Sequence, residues 1–312
     1  MDKRFRIIFM GTPDFSVPCL QALHGRHDVL LVVTQPDRPK GRGRKLQAPP
    51  VKEKAAELGY EVIQPESVCT PAFAARMKAG EPDFFVVVAF GHILPQEVLE
   101  IPRMGAVNIH ASLLPAYRGA APIQRAVING EKESGVTSMF MDRGMDTGDM
   151  LLWEKEEIRP DDTAGSLHDR LALKGADVLL RTLKEFEKGS AKPCPQDHSR
   201  ATYAPMLKKA DGRIDWNKSA AELDCFIRGM DPWPGAFTFC GDKRLRIYKG
   251  RAVTAENSEK PGTVLDAFPD ELRIACGRDV LLIEEIQGKS GKKLHISDFL
   301  RGFPIAAGSI LQ

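Results

Sequence analysis

The sequence predicts an α/β fold with a doubly wound, largely parallel sheet, followed by a small β-rich domain of barrel type. Up to about residue 150, short β-branched or apolar runs alternate with stretches of helical periodicity, the order expected of βα units. The strand runs are apolar at successive positions, as strands covered on both faces must be. Beyond about residue 205 the helical patterns give way to short strands between turn residues, which marks the second domain.

Taken in order, strands read at 6–10, 29–34, 61–63 and 83–88 from continuous runs such as Ile7, Ile8, Phe9 and Met10. Two more read at 106–110 and 137–141. A helix over 50–58 opens on Pro50 and stops at Gly59, the ends at which those residues are favoured. Another spans 123–128 and ends near Gly130. A long helix over 163–188 presents Leu167, Leu171, Ala176, Leu179, Leu183 and Phe186 on one face, with a break expected at Gly175 and a stop at Gly189. Residues 190–205 lack hydrophobic periodicity and read as a linker. Then come a helix over 220–228 and turns at 240–242 and 259–262. Between those turns a strand points Leu245 and Ile247 to the core and Arg244, Arg246 and Tyr248 outward. Trp216 and Trp233 are expected in the core. The chain of 312 residues exceeds one typical domain. Its domains are expected at 1–189 and 206–312, joined by the linker.

Hydrophobic residues make up 43% and charged residues 28%, ordinary for a soluble globular protein. No apolar run approaches membrane-spanning length, and the opening residues hold no apolar signal core. Cys19, Cys69, Cys194, Cys225, Cys240 and Cys276 form no C-x-x-C pair and no metal-like spacing, which fits a reducing cytoplasm. A cytoplasmic monomer with neither metal nor membrane partner is the expectation. Net charge is only +2, so a case for nucleic acid has to rest on local clusters.

The densest chemistry lies in 105–119 and 142–148. Alternation along a strand puts Asn108 and His110 on one face, at the end that runs into a loop. A carboxamide can donate to a developing oxyanion, an imidazole can move protons near neutral pH, and a carboxylate such as Asp146 can orient it. Taken alone, the three residues are as readily ordinary hydrogen bonding at a strand end. The first βα turn, Met10-Gly11-Thr12-Pro13-Asp14-Phe15, lacks the later glycines of a dinucleotide fingerprint, and Pro13 removes a donor. No dinucleotide cofactor is expected.

The spaced run Asn108-x-His110-x-Ser112-Leu113-Leu114-Pro115-x-x-Arg118-Gly119, then Asp142-x-Gly144-x-Asp146-x-Gly148, resembles the signature of folate-dependent formyltransferases, and the likeness extends over nearly the whole chain. The resemblance implies a Rossmann-like catalytic domain and direct attack of an amine on the formyl group of 10-formyltetrahydrofolate. Asn108 would hold the oxyanion. His110 would stabilise it or transfer protons, and Asp146 would orient His110 and take a proton through water. It also implies a pterin slot made by Phe90, Gly91, Ile93, Leu94 and Pro95, faced by a wall of Ser112, Leu113, Leu114 and Pro115. His92 and the other histidines are given no catalytic role.

Arg38, Lys40, Arg42, Arg44 and Lys45 place five basic residues in eight positions with two glycines between them. Five cations can meet successive phosphates on a backbone that glycine leaves free to reshape. In the family, a loop at this place enters the acceptor arm of a methionyl initiator tRNA, with Arg42 at its centre. Between 205 and 312 the chain holds 17 Lys and Arg against 15 Asp and Glu, so that domain is not basic overall. A positive stripe of Lys243, Arg244 and Arg246 on a small OB-like barrel would suit an oligonucleotide. The alternatives are a formyltransferase acting on a sugar amine and a non-catalytic RNA-binding relative.

Overall fold

The computed structural model describes residues 3–40, 45–266, 270–289 and 291–312, without the side chains of Lys40 and Lys45. In chain order the first half holds β1 (Arg6–Gly11), α1 (Val17–Leu23), β2 (Asp28–Val33), β3 (Arg38–Lys40), β4 (Lys45–Gln47), α2 (Pro50–Glu57) and β5 (Val62–Ile63). It continues with α3 (Pro71–Ala79), β6 (Phe84–Val88), α4 (Gln96–Leu99), β7 (Gly105–His110), α5 (Pro122–Ile128), β8 (Glu133–Phe140), β9 (Met150–Glu157) and α6 (Ala164–Lys188). The main sheet has the order β5-β2-β1-β6-β7-β8-β9. Its first five strands are parallel and β8 runs antiparallel to β7. The order reverses between β1 and β6, the kind of switch point beyond whose strand carboxyl ends ligands sit in such sheets. Ser16 Oγ donates to Val88 O (2.6 Å) and Thr12 Oγ1 to Phe90 O (2.9 Å) across that reversal.

Both faces of the central strands are buried, so Ile7 and Phe9 are as hidden as Ile8 and Met10. That is the both-sides cover their unbroken apolar runs required. The helix α6 is continuous through Gly175. A Cβ there would stand 3.1 Å from Ile109 Cγ2, so the glycine marks a close approach of helix to sheet rather than a break. β9 was not read from the sequence. Its Glu154 and Glu156 pair with Lys174, Arg170 and Arg181 of α6, so charged residues stand where an alternating apolar pattern would have signalled a strand.

Contacts gather the chain into two units, one of Met1–Gly119, Ser134–Glu157 and His168–Ala204, the other of Ala120–Glu133, Ile158–Leu167 and Pro205–Gln312. This grouping by contacts differs from the expected division along the chain: α5 and 158–167 pack with the second unit, and most of the expected linker packs with the first. Met150 and Cys194 exchange backbone hydrogen bonds of 2.9 and 2.8 Å, and Arg118 bonds Thr202 O and Ala204 N at 2.8 and 2.7 Å. Residues 194–204 are a strap on the first unit.

The second unit contains α7 (Ala220–Met230), β10 (Phe237–Cys240), β11 (Lys243–Val253), β12 (Val264–Asp266), β13 (Leu272–Ala275), β14 (Val280–Gln287), β15 (Lys293–His295) and α8 (Ile296–Gly302). Its antiparallel sheet has the order β10-β11-β14-β13-β12, with β15 on β14. Isolated bridges from Leu311 to Cys240 and from Ile310 to Thr263 link the two ends of that order, curling the sheet into the barrel form. Leu245 and Ile247 are buried as expected, as is Trp216, whereas Trp233 is 48% exposed and not a core residue.

A clasp at the end of β1 makes stability depend on pH. His168 Nε2 lies 3.4 Å from Asp14 Oδ1, and Nδ1 lies 3.0 Å from Asp169 Oδ1. The bond to Asp14 raises the His168 pKa above its ordinary value and lowers that of Asp14. The histidine contribution is complete below its unfolded value of about 6.5 and fades as pH rises through the raised one. The Asp14 contribution is present above about 3.9 and fades as pH falls through the lowered value. Asp14 is exposed, so the clasp is worth under about 1 kcal/mol. Comparing melting temperatures at pH 5.5 and 8.5 should show a loss at the higher pH that shrinks in His168→Ala. An equal loss in both proteins would remove this account.

Candidate active site

β7 sends Val107 and Ile109 to one face and Asn108 and His110 to the other. His110 is 6% exposed. Its Nε2 lies 3.0 Å from Tyr117 O. A carbonyl only accepts, so the ring proton is assigned to Nε2, which donates. Nδ1 is then the basic nitrogen of the neutral ring, and it faces Asp146 Oδ2 at 3.6 Å. That spacing exceeds a normal hydrogen bond.

Asp146 comes from the loop after β8 at φ 56°, a left-handed conformation that aspartate tolerates better than most residues. Its Oδ2 accepts from Gly119 N at 2.7 Å, and Oδ1 lies 3.5 Å from Asn108 Nδ2. Two residues later a Cβ on Gly148 would overlap the Phe140 carbonyl oxygen, so only glycine lets the loop fold back this closely. Thus three groups separated by up to 38 residues in sequence are brought together. Sequence reading missed Gln196, whose Nε2 donates to Asp146 O (2.9 Å) and Gly148 O (2.7 Å). A lone glutamine between Pro195 and Asp197 carries no signal of its own.

Beside this group lies a cavity of about 170 Å³ lined by His92, Ile93, Leu94, Met139, Met141 and the loop 142–146. Of the expected folate residues it includes Ile93 and Leu94. Phe90, Gly91 and Pro95 are not in its lining, and the Phe90 ring is packed in the core. Nor are Ser112, Leu113, Leu114 and Pro115. Ser112 Oγ donates to Ala116 O at 2.6 Å, and Thr137 Oγ1 bonds Ser112 O and Leu114 N at 2.7 and 3.2 Å. The cavity's other wall, Met139 and 141–146, was not among the residues expected to line a folate slot. His92 Nε2 is buried with no hydrogen-bond partner among the described residues. Burial, and then the Arg38 charge, hold His92 below the ordinary imidazole range.

Of the basic loop, Arg42 and Arg44 lie outside the described residues, as do the side chains of Lys40 and Lys45. The flanks form a hairpin in which β3 pairs with β4. Arg38 Nη2 donates to Gln35 Oε1 at 2.7 Å, and Gln35 Nε2 to Phe90 O at 3.4 Å, so this guanidinium is tied to the turn after β6. In the second unit Lys243 stands over Phe303 at 4.7 Å and Arg244 over Phe237 at 3.8 Å. Arg246 does not face freely outward: it stacks on Tyr248 at 4.3 Å and donates to Pro232 O at 2.7 Å. Among the described residues no group of three or more His, Cys, Asp and Glu is placed to hold a metal, and no helix is long and apolar enough to cross a membrane.

Comparison with known proteins gives this geometry its family. The formyl transferase model matches residues 3–183, and the model of the formyl transferase C-terminal domain matches 206–304. The chain belongs to the formyl transferase family. Curated relatives of this formyl transferase include the methionyl-tRNA formyltransferase of Desulfotalea psychrophila, 51% identical over 312 residues and covering 100% of this chain and 97% of the relative. That of Acetivibrio thermocellus is 48% identical over 308 residues, covering 98% and 99%. The N-formyltransferase from Helicobacter canadensis, solved with folinic acid and dTDP-3-aminofucose, shares the formyl transferase fold at a TM-score of 0.66 and 18% identity, covering 94% of this chain and 100% of that one.

Proposed function

We propose that this chain transfers the formyl group of 10-formyltetrahydrofolate to the α-amino group of methionyl initiator tRNA, as a cytoplasmic monomer serving translation initiation. The observation that carries the reading is the meeting of Asn108, His110 and Asp146 in a chain about half identical to methionyl-tRNA formyltransferases. The amine adds to the formyl carbon, giving a tetrahedral centre with an oxyanion. The Asn108 amide has two N–H groups, so one can lean on Asp146 while the other meets that oxyanion. His110 Nδ1 takes the amine proton. The imidazolium so formed faces the Asp146 carboxylate. Collapse of the centre returns the proton to N10 of the departing folate.

The cavity supports a folate donor. Ile93, Leu94, Met139 and Met141 suit the flat faces of a pterin, and His92 Nε2 is a buried polar atom in want of a partner. At about 170 Å³ it is smaller than pockets that enclose a whole drug-sized ligand, which begin near 300 Å³, so only the ring would be enclosed. Lys40, Arg42, Arg44 and Lys45, with Lys243 and Arg244, are the cations proposed for tRNA phosphates. Arg38 and Arg246 already have protein partners.

The test offers 10-formyltetrahydrofolate with methionyl-tRNA, glycinamide ribonucleotide, a nucleotide-linked amino sugar or buffer alone, and follows tetrahydrofolate release. Turnover should need methionyl-tRNA. Turnover with the amino sugar instead, or in buffer alone, would overturn the proposed acceptor. In the same assay Arg42→Ala should raise the KM for tRNA and not for folate, with a smaller difference at high salt.

A further inference from the structure

Gln196 and Arg118 are 5% and 2% exposed, and the chemistry described so far uses neither. Gln196 Nε2 brackets the catalytic loop through the carbonyls of Asp146 and Gly148. Its Oε1 accepts from Arg118 Nε at 3.2 Å and Nη2 at 2.7 Å. A carboxamide can lie either way round, but a guanidinium only donates. Arg118 therefore fixes the oxygen toward itself and the NH₂ toward the two carbonyls. His198 Nδ1 lies 3.1 Å from Arg118 Nη2, and among the described residues no carboxylate pairs with this buried cation. A buried charge without a carboxylate is a costly way to stabilise a fold. The next residue, Gly119, holds the Asp146 carboxylate. Both the main chain and the side chain of Asp146 are thus fixed by one buried unit.

We propose that Arg118 and Gln196 are positioning residues for formyl transfer: they lock the left-handed turn at Asp146 and so set its carboxylate against His110 Nδ1 and Asn108 Nδ2. The proposal rests on the assignment of Asp146 to the reacting group. Gln196→Glu separates this role from simple packing, since it keeps the bonds from Arg118 and removes both donations to the loop. In the full-length protein kcat should fall about 10- to 100-fold, as for a group displaced by about 1 Å. KM for both substrates should stay within about twofold, and the thermal midpoint should hold or rise. The Gly119 amide resonance should shift and its hydrogen exchange quicken, because its acceptor has moved.

Arg118→Lys should change the same quantities less, and serves if Gln196→Glu does not fold. Unchanged kcat with an unmoved Gly119 amide overturns the proposal. So does a loss of kcat with that amide unmoved, or one that merely tracks loss of folded protein. Asp146→Asn run in parallel tells the two readings apart. If it is fully active, the catalytic assignment itself fails; if it is inactive beside an active Gln196→Glu, only the clamp fails.

Discussion

His110→Ala should lower formyl transfer by about 100- to 10,000-fold, the range that a general base contributes, with the fold intact. The side chain stands at the end of β7, where truncation leaves the sheet pairing of Asn108 with Met139 and of Ile109 with Ser138 in place. What disappears is Nδ1, the ring nitrogen facing Asp146, together with the Tyr117 bond that holds the ring. Single-turnover rates at saturating methionyl-tRNA, with circular dichroism as the control, provide the check. Asn108→Ala should cost about 100- to 1,000-fold, as for other oxyanion donors. Asn108→Asp should do no better, since it sets a second negative charge beside Asp146 and the developing oxyanion. Near-normal turnover by His110→Ala would remove the mechanism.

Gly148→Ala should lower kcat by about 100-fold through geometry alone. The added carbon would meet the Phe140 carbonyl, which is backbone and cannot step aside. The Phe140 N–H is itself bound to Asp149 O at 2.9 Å, so the loop must open where it is stitched. Asp146 would then leave His110, and the two Gln196 bonds would stretch. The overpacking should also cost about 1–3 kcal/mol of stability. Gly144→Ala is the milder comparison, because the three atoms nearest its added carbon belong to the Thr147 side chain and none to backbone, although Thr147 Cβ at 2.9 Å must still give way. If both variants keep wild-type kcat, the fold-back at Gly148 does not set the site.

Much of this was legible in the sequence because it rests on local rules. Alternation along 106–110 put Asn108 and His110 on one face, and the unbroken runs at 6–10 and 83–88 announced a sheet covered on both sides. The rest depends on partners distant in sequence. β9 escaped notice because its glutamates are satisfied by cations of α6, a pairing invisible until the two elements meet. The hairpin of β3 and β4 lay under a charge cluster that reads as loop. Residues 194–204 looked like a spacer since their hydrogen bonds go to Met150, Tyr117 and Arg118, none of which is near in the chain.

The order in which the two units draw on the chain has a practical consequence for dissecting and recombining them. α5 packs on α7 although more than ninety residues separate their starts, and Ala121, beside α5, sits in the same buried cluster as Leu223 and Ile227. A gene fragment starting at residue 206 would encode α7 and β10 to β15 without α5, and so uncover the part of α7 on which α5 packs. One ending at residue 189 would encode Asp146 without Gln196. Neither unit is a cassette that can be cut at one site. A chimera between two relatives has to exchange 120–133 and 158–167 along with 205–312, and a library built by single crossovers near residue 190 samples mostly broken cores.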